Sequence, residues 1–130
     1  MADCDLLVIG AGPGGGSAAL HAARAGLSTV IVEADSDVGV PVHCGECLSQ
    51  IAVDNLDLEL PDEVIALDCK GIRVIFPDGT SRLLTEKGYV LEKHKFEQWL
   101  CSEAVKLGAQ LKLSHNCLLY TSDAADEWRS

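Results

Sequence analysis

The sequence predicts an α/β fold with a doubly wound, mostly parallel sheet that carries an antiparallel hairpin insertion. Two observations indicate this class. The apolar run 4–9 leads directly into a glycine-rich turn and an alanine-rich segment, which is the order strand, turn, helix of a nucleotide-binding unit. Further along, Pro77-Asp78-Gly79 separates two apolar runs, which is typical of a hairpin.

The turn after the first predicted strand is a GxGxxG motif formed by Gly10, Gly12 and Gly15. Gly10 permits a tight turn out of the strand, Gly12 lets the backbone approach a pyrophosphate, and Gly15 lets the next helix pack closely. Pro13 suits the first turn of that helix, which we expect to continue to about Gly26. The free N–H groups and the positive dipole end of the helix would then face the phosphates of a dinucleotide in a Rossmann-like site.

The second predicted strand, Thr29–Val32, is followed by Glu33. A carboxylate at this place accepts hydrogen bonds from a ribose hydroxyl and repels a 2′-phosphate. A GxGxxG motif is weak by itself, but the preceding strand, the following helix and the acid together predict a dinucleotide site. The alternative for Glu33 is a solvated acid at the end of a strand.

The remaining pattern alternates short apolar runs with turns and one longer helix. Gly108 is expected to end that helix, whose apolar face would contain Phe96, Trp99, Leu100, Ala104 and Leu107. We interpret these aromatic side chains as core packing. The predicted elements are a short helix at 48–53, hairpin strands at 71–76 and 80–84, an extended segment at 89–91, a helix at about 93–107 and a strand at 109–113.

Composition limits the classes of function. The 130 residues correspond to one ordinary domain, and the formal net charge of −10 argues against a basic nucleic-acid groove, so we expect no nucleic-acid partner. We recognise neither a secretory leader nor a run of 18 apolar residues, and we expect a cytoplasmic protein. Residues 117–130 resemble a translated sequencing-library adapter, so we take residues 1–116 as the native protein sequence. The alternative is that residues 117–130 are a genuine acidic C-terminal tail.

The six cysteines are expected to be reduced thiols, as is usual in a cytosolic α/β protein. Cys44-Gly45-Glu46-Cys47 forms a CxxC motif. It could be half of a zinc site, a redox dithiol, or two thiols of which one matters. Zinc would require His43 or His115 to complete the ligand set, because a second CxxC motif is lacking, and we predict no metal.

Three segments, 7–49, 88–96 and 104–109, together resemble the geranylgeranyl reductase family of FAD enzymes, and most of all its archaeal-type digeranylgeranylglycerophospholipid reductases. The likeness extends over residues 3–113, and its most specific part is the PVxCGE loop that begins at Pro41. It implies that the chain is the N-terminal part of an FAD-binding domain, with the fold truncated and the substrate cavity beyond residue 113.

The resemblance also implies roles for individual residues. FAD would lie on the glycine turn and reach Glu33, the cysteine loop would approach the isoalloxazine ring, and Lys93 would contact the cofactor. The chain has Cys47 where the family usually has glycine, and Lys93 where it usually has an arginine with a planar donor fork. The implied catalytic residue is Cys44, and the implied cofactor-binding residues are Gly10, Gly12, Gly14, Gly15, Glu33, Cys44, Gly45, Cys47 and Lys93.

The implied activity is saturation of isolated prenyl double bonds in an isoprenoid lipid, with NAD(P)H or ferredoxin as the external electron donor and with peripheral membrane contact through parts beyond this chain. The isolated fragment would be inactive. One alternative is a flavin-dependent disulfide reductase that uses Cys44 and Cys47. The other is a nucleotide-binding fragment without catalytic function.

Overall fold

A computed structural model describes residues 3–118, so the predicted adapter-like tail lies outside the described residues except for its first two positions. The described residues divide into two units, residues 3–40 with 97–118, and residues 41–96. In chain order the elements are β1 (Leu6–Ile9), α1 (Pro13–Arg24), β2 (Thr29–Val32), β3 (Cys47–Ser49), α2 (Gln50–Asn55), a 3-10 turn (Asp62–Val64), β4 (Ile65–Cys69), β5 (Ile72–Ile75), β6 (Ser81–Leu84), β7 (Gly88–Leu91), α3 (Lys93–Lys106) and β8 (Gln110–Lys112).

The first unit is built on a parallel sheet with the strand order β1-β2-β8. The central strand β2 pairs Val30 with Leu7 of β1 and with Gln110 of β8. Its Ile31 is fully buried, as are Leu20 of α1 and Leu100 of α3. Helix α1 packs on strands β1 and β2, and Leu100 lies against Gly16 of α1. This strand order with helical crossovers is half of a doubly wound fold, which confirms the predicted fold class.

Local sequence explains where the first helix begins and ends. Gly12 is the N-cap residue and Pro13 occupies the first helical position, where a missing N–H group costs nothing. At the other end Gly26 has a φ of 80°, and the N–H group of Leu27 donates to the carbonyl of Ala22 at 3.0 Å. A glycine in the left-handed region closes a helix because no side chain opposes that conformation. The helix is therefore two residues shorter than predicted.

The second unit contains the antiparallel sheet β3-β7-β4 and the separate hairpin β5-β6. The hairpin was predicted correctly around Pro77-Asp78-Gly79, and Gly79 has a φ of 83°. The predicted helix at 48–53 is partly wrong, because Cys47–Ser49 forms a strand and the helix begins at Gln50. Strand β4 was not predicted. The two strands that were not predicted, β3 and β4, are short and form their hydrogen bonds with β7, which is distant in the sequence. The local sequence pattern therefore did not indicate them.

Candidate functional site

Three glycines of the turn in the first unit are constrained by their own backbone conformation or by neighbouring atoms. Gly10 has a φ of 95°, a conformation that disfavours any side chain. A Cβ atom at Gly15 would overlap the carbonyl oxygen of Gly10, and one at Gly16 would lie 3.0 Å from Cβ of Leu100. The sequence did not indicate the role of Gly16, because the close neighbour there comes from α3, more than 80 residues away along the chain. Gly10 and Gly15 are therefore required by the fold itself, whereas a side chain at Gly16 would be tightly packed against Leu100.

Gly12 and Gly14 differ from the other glycines of the turn. Gly12 has ordinary extended dihedral angles, φ −68° and ψ −175°, and the nearest described atom to a Cβ placed there is Oε1 of Glu97 at 4.0 Å. A Cβ at Gly14 meets no described atom within 4 Å. The described protein therefore leaves space beside the start of α1, where helix geometry leaves N–H groups without an acceptor inside the helix. A phosphate group fits this space and these donors.

Glu33 is held against the glycine turn by backbone donors. The N–H group of Ala11 donates to Oε2 at 2.6 Å, and the N–H group of Asp35 donates to Oε1 at 3.1 Å. Partial burial by itself would raise the pKa of Glu33, but the hydrogen bonds from Ala11, Asp35 and Ala34 outweigh burial and lower it below 4.5. The carboxylate is thus ionised at neutral pH, and its remaining lone pairs can accept hydrogen bonds from a ribose.

Two buried residues of α3 complete the surroundings of the turn. Glu97 is only 4% exposed, and Sγ of Cys101 donates a weak hydrogen bond to the carbonyl of Ala11 at 3.8 Å. Burial raises the pKa of the Cys101 thiol to about 11, with a further increase from the charges of Glu97 and Glu33. Sequence reasoning missed both residues. The available signal was their spacing of four residues, which places them on one helical face.

The buried face of α3 differs in part from the apolar face predicted from the sequence. Phe96, Leu100 and Ala104 are buried as predicted, and Trp99 is half-buried. Leu107 is 52% exposed, so its inclusion was wrong. It lies one residue beyond the last residue of the helix, where the chain has already turned toward Gly108, whose φ is 103°.

The cysteine loop belongs to the second unit. Cys44 and Cys47 are free, exposed thiols, and Sγ of Cys47 donates to the carbonyl of Gly45 at 3.3 Å. Between them Glu46 has a φ of 63°, which is unusual for a residue with a side chain and costs about 1–2 kcal/mol. Such strain is concentrated at functional sites, so it indicates that this loop is a candidate functional site. Within residues 3–118 no group of three or more His, Cys, Asp or Glu side chains could hold a metal ion.

Lys93 is the first residue of α3 and is half-buried. The strand before it is tied to the cysteine loop, because the N–H group of Leu91 donates to the carbonyl of Glu46 at 2.8 Å. The predicted site residues thus fall into two groups. The first unit brings Glu33 to the glycines of the turn, and the second unit contains Cys44, Gly45, Cys47 and Lys93.

Comparison with known proteins identifies related chains. The family FAD dependent oxidoreductase matches residues 5–39. Digeranylgeranylglycerophospholipid reductase of Thermoplasma acidophilum is 38% identical over 118 residues, which cover 85% of this chain and 30% of that protein. Digeranylgeranylglycerophospholipid reductase 2 of Methanopyrus kandleri is 38% identical over 109 residues, which cover 84% of this chain and 28% of that protein. The chain thus spans less than a third of the length of these curated relatives.

Solved structures give the same result. A geranylgeranyl bacteriochlorophyll reductase-like protein from Thermoplasma acidophilum superposes with a TM-score of 0.83 at 38% identity, covering 88% of this chain and 31% of that one. A flavin-dependent brominase, at 22% identity and a TM-score of 0.66 over 84% of this chain and 29% of that one, shares the fold alone. The family match supports FAD as the predicted dinucleotide. The resemblance to the geranylgeranyl reductase family of FAD-dependent oxidoreductases, predicted from the sequence, is thereby confirmed over most of the chain.

Proposed function

We propose that this chain is the FAD-binding part of an oxidoreductase that reduces isolated double bonds of prenyl chains in isoprenoid lipids. The observation that carries the proposal is the space at Gly12, because neither backbone conformation nor packing within the described protein requires a glycine there. A ligand that approaches the backbone closely accounts for it, and the pyrophosphate of FAD is such a ligand. Similarity to digeranylgeranylglycerophospholipid reductases supports the choice of reaction.

In this proposal the residues of the chain bind and orient the cofactor. The N–H groups at the start of α1 hold the pyrophosphate, Glu33 accepts from the ribose, and Lys93 offers a positive charge to the cofactor. Cys44 and Gly45 shape the surroundings of the reactive ring. When bound, reduced FAD supplies a hydride to one carbon of the double bond, while a proton reaches the other carbon.

The partners follow from the same reaction. The substrate is a prenyl lipid, and reduced FAD is regenerated by an external donor, NAD(P)H or ferredoxin. No helix among residues 3–118 is long and apolar enough to cross a membrane. We place the protein in the cytoplasm, where its six free thiols would remain reduced, and where it would meet lipid at the membrane surface.

A chimera tests the proposal. Residues 3–113 of this chain would replace the matching segment of the Thermoplasma acidophilum digeranylgeranylglycerophospholipid reductase, and the purified chimera would be chemically reduced and mixed with a geranylgeranyl lipid. We expect the purified protein to be yellow before reduction, and the product to have gained two hydrogen atoms for each double bond that is reduced, measured by mass spectrometry. A folded chimera that binds FAD but leaves the lipid unchanged, while the parent enzyme reduces it, would contradict the proposed function.

A further inference from the structure

Glu97 is a buried acid beside the glycine turn, and the proposed function assigns it no role. It belongs to α3 and is only 4% exposed, although acidic side chains are rarely buried to this extent. Its Oε1 atom is 4.0 Å from the position that a Cβ at Gly12 would occupy. The carboxylate therefore borders the space that we assign to the pyrophosphate.

Contacts on both sides of Glu97 fix α3 beside the turn. The side-chain Nε2 of Gln98 donates to the carbonyl of Val38 at 3.1 Å. Leu100 packs against Gly16 so closely that a Cβ there would lie 3.0 Å from Cβ of Leu100. The backbone that carries Glu97 is thus held in place, and a phosphate group beside the turn meets this acid at short range.

The charge of Glu97 acts on the turn itself. Burial is the main cause of the raised pKa of the Cys101 thiol, and the negative charges of Glu97 and Glu33 raise it further. The same thiol donates to the carbonyl of Ala11, which is part of the turn. Residues 13–16, the first turn of α1, contain no charged side chain. Within the first unit, a ligand at the turn therefore meets backbone N–H groups together with two carboxylates, and its repulsion by these acids grows with its own charge.

This repulsion distinguishes two kinds of adenine nucleotide. A diphosphate that is esterified at both ends, as in FAD or ADP-ribose, carries about two negative charges. ADP has a terminal phosphate and carries about three at pH 8, because the second ionisation of such a phosphate has a pKa of about 6. One added charge about 8 Å from a carboxylate weakens binding by about 2-fold to 30-fold, for effective dielectric constants of about 80 to about 20.

We propose that Glu97 is a specificity-determining residue of the cofactor site, which favours dinucleotides with a doubly esterified diphosphate over nucleotides with a terminal phosphate. The inference rests on the proposed FAD site at the glycine turn, but it does not depend on the reaction that FAD performs. Glu33 selects at the ribose, whereas Glu97 selects at the phosphates.

The FAD-free chimera provides the assay. It would be titrated with ADP and with ADP-ribose at pH 8 and low salt, by isothermal titration calorimetry. Glu97→Gln removes the charge and nearly keeps the shape, so both ligands should bind more tightly and ADP should gain more. We expect the ratio of the Kd for ADP to the Kd for ADP-ribose to fall by about 2-fold to 30-fold. A purely structural role of Glu97 would change both Kd values by the same factor.

Three further variants serve as controls. Glu97→Met is a second uncharged variant with an unbranched side chain, and it should lower the ratio even if Glu97→Gln impairs folding, which urea unfolding would show. Glu97→Asp keeps the charge and should keep the ratio. Glu103→Gln makes the same chemical change further along α3, at a side chain that pairs with Lys106, and should leave the ratio unchanged.

Three results would overturn the inference: an unchanged ratio in the folded uncharged variants, an equal fall in Glu97→Asp or Glu103→Gln, or no binding of ADP-ribose by the folded chimera. These outcomes are separate from reduction of the lipid. A lowered ratio together with a chimera that leaves the lipid unchanged would contradict the proposed function alone. A chimera that reduces the lipid but keeps the same ratio in Glu97→Gln would contradict this inference alone.

Discussion

Single alanine substitutions along the glycine turn should separate the requirements of the fold from those of the ligand. In Gly15→Ala the new Cβ overlaps the carbonyl oxygen of Gly10, a backbone atom that a rotamer change cannot move. Overpacking of this kind costs about 1–3 kcal/mol, and the helix preference of alanine over glycine returns at most about 1 kcal/mol. We expect the free energy of unfolding to fall by about 2 kcal/mol. Gly14→Ala, with open space around its Cβ, should instead raise it by up to about 1 kcal/mol.

Gly12→Ala should behave differently from both neighbours. Its backbone angles suit any residue, and its Cβ would be 4.0 Å from the nearest described atom, so the fold should tolerate it. A methyl group in the space assigned to the pyrophosphate should cost about 1–3 kcal/mol of binding, by analogy with overpacking of a core. This corresponds to FAD binding that is about 5-fold to 150-fold weaker.

Two measurements check the series. Urea unfolding followed by circular dichroism gives the stability of each variant of the chain, and flavin fluorescence titration of the chimera gives its affinity for FAD. FAD binding at the parental affinity by Gly12→Ala would refute the placement of the phosphates. Equal stability of Gly14→Ala and Gly15→Ala would refute the packing argument.

Four further predictions follow from other parts of the site. The pKa of Glu33 is lowered from 4.5 on folding, so its carboxylate stabilises the fold above pH 4.5, and this contribution is lost as the pH falls through the lower folded value. Urea unfolding of Glu33→Gln should therefore show a lower free energy of unfolding than the parent chain at pH 7, and the difference should shrink in acid. The pKa of Cys101 is raised from 9.0 to about 11, so the contribution of its thiol to stability is complete below pH 9 and is lost as the pH rises to about 11. In the native protein this thiol should resist alkylation by iodoacetamide at about pH 8, and it should react once denaturant is added. Glu46→Gly should raise the free energy of unfolding by about 0.5–1 kcal/mol, because the relief of left-handed strain exceeds the entropy that glycine adds to the unfolded chain. A loss of stability would show that contacts of the Glu46 side chain stabilise the fold by more than the strain destabilises it. In the chimera, Cys47→Gly should retain lipid reduction, whereas Cys44→Ser should impair lipid reduction while FAD stays bound. If the two cysteines instead form a redox dithiol, the chimera should reduce a model disulfide, and either substitution should abolish that activity.

Local signals were sufficient for most of the first unit. The strand at Thr29–Val32 and the start of α1 at Pro13 follow from a β-branched run and from a proline beside glycines, which act within a few residues. The hairpin around Asp78 was predictable for the same reason, because its carboxylate accepts from the Thr80 N–H group within the turn. The fold class followed from the order of these elements.

The unpredicted parts depend on distant partners. Burial of Glu97 is unexpected for an acidic residue, and it occurs where α3 lies beside the glycine turn. The tight packing at Gly16 likewise comes from Leu100. Strand β4 is recognisable only when β7 is present beside it. Sequence pattern indicates which face of an element is apolar, but not which distant atom it meets.

The charges around the turn restrict how an anionic cofactor can be held there. Glu33 is ionised and is bonded to the backbone of Ala11, and Glu97 lies within 4.0 Å of the position that a Cβ at Gly12 would occupy. Two acids near a pyrophosphate raise its energy. In the proposed site, the N–H groups and the dipole at the start of α1, where the first turn contains no acidic residue, supply attraction that offsets this repulsion. The dipole acts over a short distance, so the phosphates must approach the backbone closely, and a single methyl group at Gly12 is enough to prevent this. In the proposed site, glycine at position 12 therefore serves the ligand, whereas glycine at position 15 is a requirement of the fold.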